Sequence, residues 1–201
     1  TGTPFNLNAS LTHTQNTNTE SIDMNLPSLV VNMDRVYPFA PKVGTKKNPI
    51  QNIGVTYSMN AQNRITTTDD EFGTAEMFKN ARSGIRHDIA MNTSAKALKY
   101  FSIAPSINYR DVWVFKTIER FWDEEQEEVV TDTINGFETY REYSGGVSAS
   151  TTVYGMLNFK KGRLQAIRHV MRPAVSWSYR PDFSQYYDEY QGSLDPDDIR
   201  E

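Results

Sequence analysis

Histidines and carboxylates are the residues of this chain whose chemistry could support catalysis or metal binding. The three histidines, His13, His87 and His169, have neither the HExxH spacing nor any other zinc-ligand pattern. Because a metal site needs several convergent ligands, each histidine is interpreted as a structural or surface residue. The chain contains no cysteine, which excludes disulfides, thiol catalysis and cysteine-ligated metals.

One dense run of carboxylates extends from Asp123 to Glu128, with Gln126 as its only uncharged member. Carboxylate oxygens are the ligands that Ca²⁺ and Mg²⁺ prefer, so such a loop could hold a divalent cation. A run of charges is more often a solvated loop. The candidate contacts are Glu124, Glu125, Glu127 and Glu128. They are predicted only as possible contacts with a cation or a lipid head group, and the sequence predicts no metal site and no cofactor.

No arrangement of residues indicates catalysis. Carboxylates are numerous enough to supply an acid/base pair of the glycosidase type, but nothing in the sequence places two of them in one dry pocket. There is no Gly-rich phosphate loop, nucleophile elbow or Ser-His-Asp order. The net charge of -4 provides no overall basic field for nucleic acid. We therefore predict that the protein is not an enzyme and does not bind nucleic acid.

Period-two alternation of apolar and polar residues recurs about seven times and predicts β-strands. In the clearest run, Ile53, Val55, Tyr57, Met59 and Ala61 alternate with polar or small residues. Several runs reach ten residues or more, the length that barrel strands need to cross a bilayer rather than the 5–6 residues of a globular strand. The apolar parity changes at Pro27, as it does at a β-bulge. The polar positions are mostly Asn, Ser, Thr and Gly, which suit a wet barrel interior.

The connections between these runs alternate in length and charge. The segments 34–50, 95–99 and 160–168 are short to moderate and basic, whereas 64–83, 116–142 and the tail from Asp182 are long and acidic. Membrane barrels have short periplasmic turns and long outer loops, so the first group is predicted at the periplasmic rim and the second at the opposite rim. The short turn at 15–19 is an exception on the long-loop side. Among lipid head groups, the four glutamates could contact a cation or the head group itself.

These patterns predict an all-β fold, an antiparallel up-and-down meander of about seven long strands that is part of a large transmembrane β-barrel. Residues 1–201 are expected to form a single segment of an incomplete barrel, as an internal piece of a longer chain. The strand parity predicts the members of each face. The convex face is expected to carry Phe5, Leu7, Leu11, Ile53, Val55, Tyr57, Ile103, Ile107, Val153, Leu157, Val175 and Trp177. The concave face is expected to carry Asn6, Asn8, Thr56, Ser58, Ser106, Asn108 and Ser176.

Two groups of sequence blocks are distinctive. The first group reads LPSL, RVYPF and IGVTYSMN, starting at Leu26, Arg35 and Ile53; the second reads YGML, RHVMRP and YRPDF, starting at Tyr154, Arg168 and Tyr179. Both groups resemble the barrel of LptD-type lipopolysaccharide-assembly proteins of the Bacteroidetes kind. The resemblance implies an outer-membrane translocon that inserts lipopolysaccharide into the outer leaflet through a lateral opening. It also implies lipopolysaccharide, outer-membrane lipid, an LptE-like plug lipoprotein and a periplasmic bridge as partners. The cysteines of the proteobacterial members are absent.

Two other interpretations remain open at this point. A porin or uptake-type outer-membrane barrel would share the alternation and the loop asymmetry but not the sequence blocks. A soluble secreted β-sandwich that binds carbohydrate or a surface partner would bury its apolar positions between two sheets.

Overall fold

The computed structural model of the protein describes residues 2–45, 48–159, 165–187, 189–191, 193 and 198–200. Nearly all of its regular structure is β-strand. The strands are β1 Phe5–Asn16, β2 Ser21–Val36, β3 Gly54–Thr68, β4 Arg82–Asn92, β5 Ala95–Ala97, β6 Phe101–Asp123, β7 Glu128–Ser150, β8 Val153–Asn158, β9 Ala166–Met171, β10 Ala174–Tyr179, β11 Tyr190–Gln191 and β12 Ile199–Arg200. One short helix, α1 Ala75–Lys79, and two 3₁₀ turns, Ile50–Asn52 and Ser184–Tyr186, complete the described elements.

The main sheet is an antiparallel meander, as predicted. Its order is β1-β2-β3-β4-β6-β7-β10, with the short β5 paired to β6. Every neighbouring pair on this path is antiparallel. The sheet does not close on itself within the described residues, and β1 and β10 form its two edges. Among these residues, none of the helices has the length and apolar character that a bilayer crossing requires.

The parity change at Pro27 is a real irregularity of β2. The register of β2 against β3 shifts between Asn25 and Ser28, and its register against β1 shifts between Ser10 and Thr12. Proline has no N–H to donate to the ladder, so a bulge is where a strand tolerates it. The predicted β-bulge is confirmed. Leu11 lies in the shifted position, where no register partner fixes its face.

The prediction that 116–142 is a long loop is wrong. The strands β6 and β7 stay paired as far as Asp123 and Glu128, and only residues 124–127 form the turn. Acidic residues suggested a loop, but they are interleaved with β-branched and aromatic residues such as Ile118, Phe121 and Val130, which favour strands. The expected loop 64–83 is also shorter, because β3 continues to Thr68 and α1 lies inside the connection.

The alternation of the sequence continues from Val147 to Phe159, which would predict one strand, but the structure has two strands there. β7 ends at Ser150, and β8 pairs with β9 in a separate two-stranded sheet, so Val153 and Leu157 are not part of the main sheet. Ser150 pairs with Ala174, the Thr151 N–H donates to the Pro173 carbonyl at 3.1 Å, and Val153 pairs with Met171. The β8–β9 ribbon therefore continues the β7–β10 hairpin in unbroken register, beyond the point where β6 begins.

The register across the sheet assigns two faces of opposite character. Tyr57 pairs with Met33 and Ile89, and Ile89 pairs with Tyr109, whereas Ser58 pairs with Asn32 and Asp88. Paired residues share a face. The set that contains Tyr57 forms the apolar face, together with Phe5, Leu7, Val55, Ile103, Ile107, Val175 and Trp177. The set that contains Ser58 forms the polar face, together with Asn6, Asn8, Thr56, Ser106, Asn108 and Ser176. The predicted grouping is confirmed for these residues, and Ile53 lies just before β3.

The apolar face is exposed. Leu7 and Val175 are each 70% exposed and Trp177 is 64% exposed, and no second sheet of the described chain packs on them. The buried apolar cluster is small and lies at one rim, where Met77 of α1 packs on Ile22, Met24 and Ile65. A soluble β-sandwich would bury the apolar face instead, so that interpretation does not fit this sheet.

The connections sort onto two rims, as strand parity requires. On one rim the Asp69 N–H donates to the Glu20 carbonyl at 3.0 Å and Gln15 donates to the Asp69 carboxylate at 2.9 Å. On the other, the Thr93 hydroxyl donates to the Pro49 carbonyl at 2.7 Å. The predicted grouping is confirmed for the described residues of 34–50 and 95–99, which lie opposite the connection between β3 and β4 and the 124–127 turn. Residues 46 and 47 lie outside the described residues. Residues 160–164 lie outside the described residues, and the β8–β9 pairing places the flanks of that connection on the 95–99 rim.

Candidate functional site

A row of charged side chains crosses the polar face from strand to strand. Asp88 of β4 pairs in register with Arg110 of β6, and Arg110 pairs with Glu142 of β7. Arg86 and Arg110 each contact the Asp88 carboxylate, at 3.0 and 2.8 Å; Arg110 and Arg180 contact Glu142, at 3.8 and 3.0 Å. Isolated surface pairs contribute little, but here each carboxylate serves two cations in one network. We call this set of five residues the polar-face row.

Above this row, toward the long-loop rim, the polar face forms the floor of a wide open groove of about 1720 Å³. Residues of β3, β4, β6 and β7 line the floor, and residues 185–187 with Tyr190 form a roof segment that passes over it. The Tyr140 and Tyr186 rings meet edge to face at 5.7 Å, and the Arg120 guanidinium lies 5.5 Å from the Tyr190 ring centroid. The roof segment is therefore anchored to β6 and β7 by aromatic contacts.

The groove is basic, although the chain as a whole is acidic. Its lining contains six cationic residues and one carboxylate, Glu138; the cations are Arg64, Lys79, Arg82, Arg86, Lys116 and Arg120. Three of them are neutralised: Arg86 in the polar-face row, Lys79 by Glu76 at 3.1 Å and Arg64 by Asp23 at 3.4 Å. Asp23 lies at the rim end of β2. Hydrogen bonds from the Thr66 hydroxyl and from Arg64 lower the pKa of its carboxyl, so Asp23 stays charged.

The remaining three cations have no carboxylate partner within the described part of the chain. The Lys116 ammonium donates to the Lys79 carbonyl, Arg120 contacts the Tyr190 ring, and Arg82 makes no ion pair there. Beside them lie tyrosines and amides, the groups that can stack on and hydrogen-bond to a polar ligand. The uncharged polar lining includes Asn60, Gln62, Asn80, Asn135, Tyr140, Gln185, Tyr186, Tyr187 and Tyr190. Together these groups form a surface suited to a hydroxyl-rich anion.

The apolar face carries a smaller polar row at the same level. His87 of β4 pairs in register with Asp111 of β6, and Asp111 pairs with Arg141 of β7, 3.8 Å away between charged groups. The Tyr57 hydroxyl and His87 Nδ1 are 2.8 Å apart, and the Trp113 ring lies 4.5 Å from the His87 ring. His87 Nε2 and Asp111 Oδ1 are buried without a hydrogen-bond partner in the described chain. We call His87, Asp111 and Arg141 the apolar-face row.

The four predicted contact residues lie at the tip of the β6–β7 hairpin. Glu124, Glu125 and Glu127 are in the turn, and Glu128 begins β7. The turn is organised by Asp123, whose carboxylate accepts from the Glu125 and Gln126 N–H groups at 2.8 and 3.2 Å. No group of three or more His, Asp or Glu side chains in the described residues is arranged to hold a metal ion. Contact of the glutamates with a cation or head group stays a prediction.

The other two histidines take no part in either row. His13 lies near the long-loop rim, where its ring meets Phe72 edge-on at 6.2 Å. His169 lies in β9, opposite Gly155. Neither is part of a cluster of possible metal ligands in the described chain.

Sequence reasoning missed the polar-face row and the groove. The parity of the alternating runs assigns Arg86, Asp88 and Arg110 to the polar positions, so the signal for the row was present in part. The missing information was the register between runs, which sets Asp88 beside Arg110 and Glu142. Nothing in the sequence indicated that the tail after Asp182 returns over the polar face.

A family model described as LptD protein matches residues 1–199. No curated protein matches the chain, and no solved structure matches it.

Proposed function

Because this chain belongs to the LptD protein family, we propose that its sheet is part of the barrel wall through which lipopolysaccharide enters the outer leaflet. The members of that family are outer-membrane proteins of lipopolysaccharide transport and assembly and are not enzymes. The observation that carries this proposal is the opposite character of the two faces. A barrel wall needs an outward apolar face against lipid and an inward polar face against water. Val175 and Trp177 on one face, and Ser176 and Ser178 on the other, have that arrangement.

Residues 1–201 would then be one segment of a larger barrel. The outer edges of β1 and β10 carry backbone N–H and C=O groups without strand partners in the described chain. Such groups cannot face hydrocarbon unpaired, so further strands of the same wall would have to cover both edges.

The orientation of the wall follows from the connections. The basic rim at 34–50 and 95–99 would face the periplasm and the bridge that delivers lipopolysaccharide. The rim with the 69–81 loop and the β6–β7 turn would face outward. An LptE-like lipoprotein plug inside the barrel would meet the polar face, because that face would be directed at the lumen. Transfer to the outer leaflet would occur through a lateral opening between strands of the complete barrel.

The proposed function is tested with the full-length protein in cells that depend on it. Depletion should lower lipopolysaccharide at the cell surface, measured by antibody binding to intact cells, while total lipopolysaccharide per cell persists. Re-expression of the wild-type gene should restore the surface signal. Unchanged surface lipopolysaccharide after depletion would contradict the proposal, whatever the behaviour of individual residues.

A further inference from the structure

We propose that the groove above the polar-face row binds a phosphorylated sugar, with Arg82, Lys116 and Arg120 as phosphate contacts and with the tyrosines of the roof segment against the sugar rings. This inference rests on the proposed function, because the ligand would be the phosphorylated saccharide of lipopolysaccharide in transit. It names the place in the barrel wall where that saccharide is held.

The first argument is charge. Three cations face the groove without a carboxylate partner in the described chain, although the chain has a net charge of -4 and acids on other surfaces. Like charges gathered on one wall repel each other unless a bound anion offsets their charge. The planar guanidinium groups of Arg82 and Arg120 can each give a phosphate two parallel hydrogen bonds, and the Lys116 ammonium adds a point charge.

The second argument is the chemistry of the surrounding surface. A bare phosphate site would need only cations, whereas this groove also presents four tyrosines and several amides. Tyrosine offers an apolar ring face and a hydroxyl in one side chain, so it can cover a sugar ring and still hydrogen-bond to its edge. Amides donate and accept, which matches the hydroxyl groups of a sugar. An acidic protein segment would satisfy the cations but would make little use of these groups.

The third argument is position. The polar-face row below the groove holds three cations and two carboxylates in direct contact, so its charge is nearly balanced. The unpaired cations lie beyond it, toward the outward rim of the proposed wall. A phosphorylated ligand moving along the polar face would therefore pass from a nearly neutral level to a basic one. The local potential favours its movement in that direction.

The test measures binding to the full-length protein reconstituted in lipid nanodiscs. The probe is a lipid-free, phosphorylated core oligosaccharide released from lipopolysaccharide, and the comparison probe is the same oligosaccharide after phosphatase treatment. We expect the triple variant Arg82→Gln, Lys116→Gln, Arg120→Gln to bind the phosphorylated probe at least about tenfold more weakly, because it lacks three charge contacts to phosphate. Binding of the dephosphorylated probe should be unchanged.

A matched control removes the same charge from the opposite rim. Lys42→Gln, Lys96→Gln, Lys99→Gln lies on the basic connections away from the groove, and it should bind both probes like the wild type. A second variant, Tyr186→Ala with Tyr190→Ala, should weaken both probes, because the stacking surface does not depend on phosphate. Phosphate-bearing lipid A without core sugars serves as a further probe. This probe distinguishes binding of the phosphates on the core sugars from binding of the phosphates on the lipid's own sugars.

Equal binding of the phosphorylated probe by the triple variant and the wild type would overturn the proposal. So would stronger competition by an acidic peptide than by the oligosaccharide, which would identify a protein partner for the groove. Either result leaves the proposed function standing as long as depletion of the wild-type protein still lowers surface lipopolysaccharide. Persistence of surface lipopolysaccharide on depletion would instead refute the transport role while the binding result remained.

Discussion

The two polar rows occupy the same strands at the same level on opposite faces of the sheet. His87 lies between Arg86 and Asp88 in β4, Asp111 follows Arg110 in β6, and Arg141 precedes Glu142 in β7. On the polar face each carboxylate contacts two cations at distances between 2.8 and 3.8 Å. On the apolar face Asp111 has a single cation at 3.8 Å, and His87 Nε2 has no partner in the described chain. Residues that are adjacent in one strand but lie on opposite faces therefore differ in how many ion-pair partners their charges have.

The difference indicates where a bilayer would end. An Arg or Lys side chain on the lipid face of a barrel costs about 2–4 kcal/mol at the midplane and about 0–1 kcal/mol near the interface, and an Asp or Glu side chain costs less. The sparsely paired apolar-face row is thus tolerable only near an interface. Aromatic rings surround it: Tyr57, Tyr109, Trp113 and Tyr143 share its face, as expected for an aromatic belt. Below it, the apolar face of β6 continues through Ile107 and Ile103 to Phe101.

The largest expected effect comes from placing charge on the apolar face below the row. Ile107→Lys would set an ammonium in the lipid-facing band, whereas Asn108→Lys would set it on the polar face one residue later. We expect Ile107→Lys to lower the free energy of unfolding by about 2–4 kcal/mol and Asn108→Lys by about 1 kcal/mol or less. Urea unfolding of the full-length protein in lipid vesicles measures both. Equal losses would mean that the two faces do not meet different solvents.

A smaller effect is expected from opening the polar-face row. Glu142→Gln keeps the shape of the side chain and removes the charge that Arg110 and Arg180 share. Because both contacts are partly exposed, we expect a loss of about 1–2 kcal/mol of unfolding free energy, and less at high salt.

A double-mutant cycle of Glu142→Gln with Asp88→Asn tests whether the row acts as one unit. Both carboxylates bind Arg110, so the two losses should not add. Additive losses and a salt-independent effect of Glu142→Gln would show that these pairs are separate surface contacts.

The apolar-face row should respond less than the polar-face row. Asp111→Asn removes one largely buried charge from the apolar face and leaves Arg141 without its partner, so the two contributions oppose each other. We expect a change within about 1 kcal/mol if the row lies near the interface. A loss well above about 2 kcal/mol would place Asp111 deeper in the bilayer and move the inferred boundary outward.

Much of the sheet was predictable because barrel strands record their environment residue by residue. The parity of Val55 and Tyr57 against Thr56 and Ser58 is enough to assign faces, and the proline at position 27 marks the bulge. Beyond the level of the apolar-face row, apolar and polar residues no longer alternate strictly along β6 and β7. This is why the outer half of the β6–β7 hairpin was predicted as loop. The groove depends on where the tail folds back, and no local pattern encodes that.

The smallest expected effect concerns the tip of the β6–β7 hairpin, where neither face of the sheet constrains the charges. Neutralising Glu124, Glu125, Glu127 and Glu128 to Gln should leave the free energy of unfolding nearly unchanged, because surface substitutions away from partners are usually within about 0.5 kcal/mol. Asp123 must be kept, since its carboxylate holds the turn through the Glu125 and Gln126 N–H groups.

The expected phenotype of this four-fold variant is a change in the permeability of the outer membrane. Carboxylates among phosphorylated head groups can share the divalent cations that bridge them, so the variant should admit large antibiotics more readily when Mg²⁺ is limiting. Neutralising Glu119 and Asp132, a cross-strand pair lower on the same hairpin, is the matched control and should not change permeability. If the four-fold variant also leaves permeability unchanged at every Mg²⁺ concentration, the tip is only a solvated turn and its acids have no contact with the head groups.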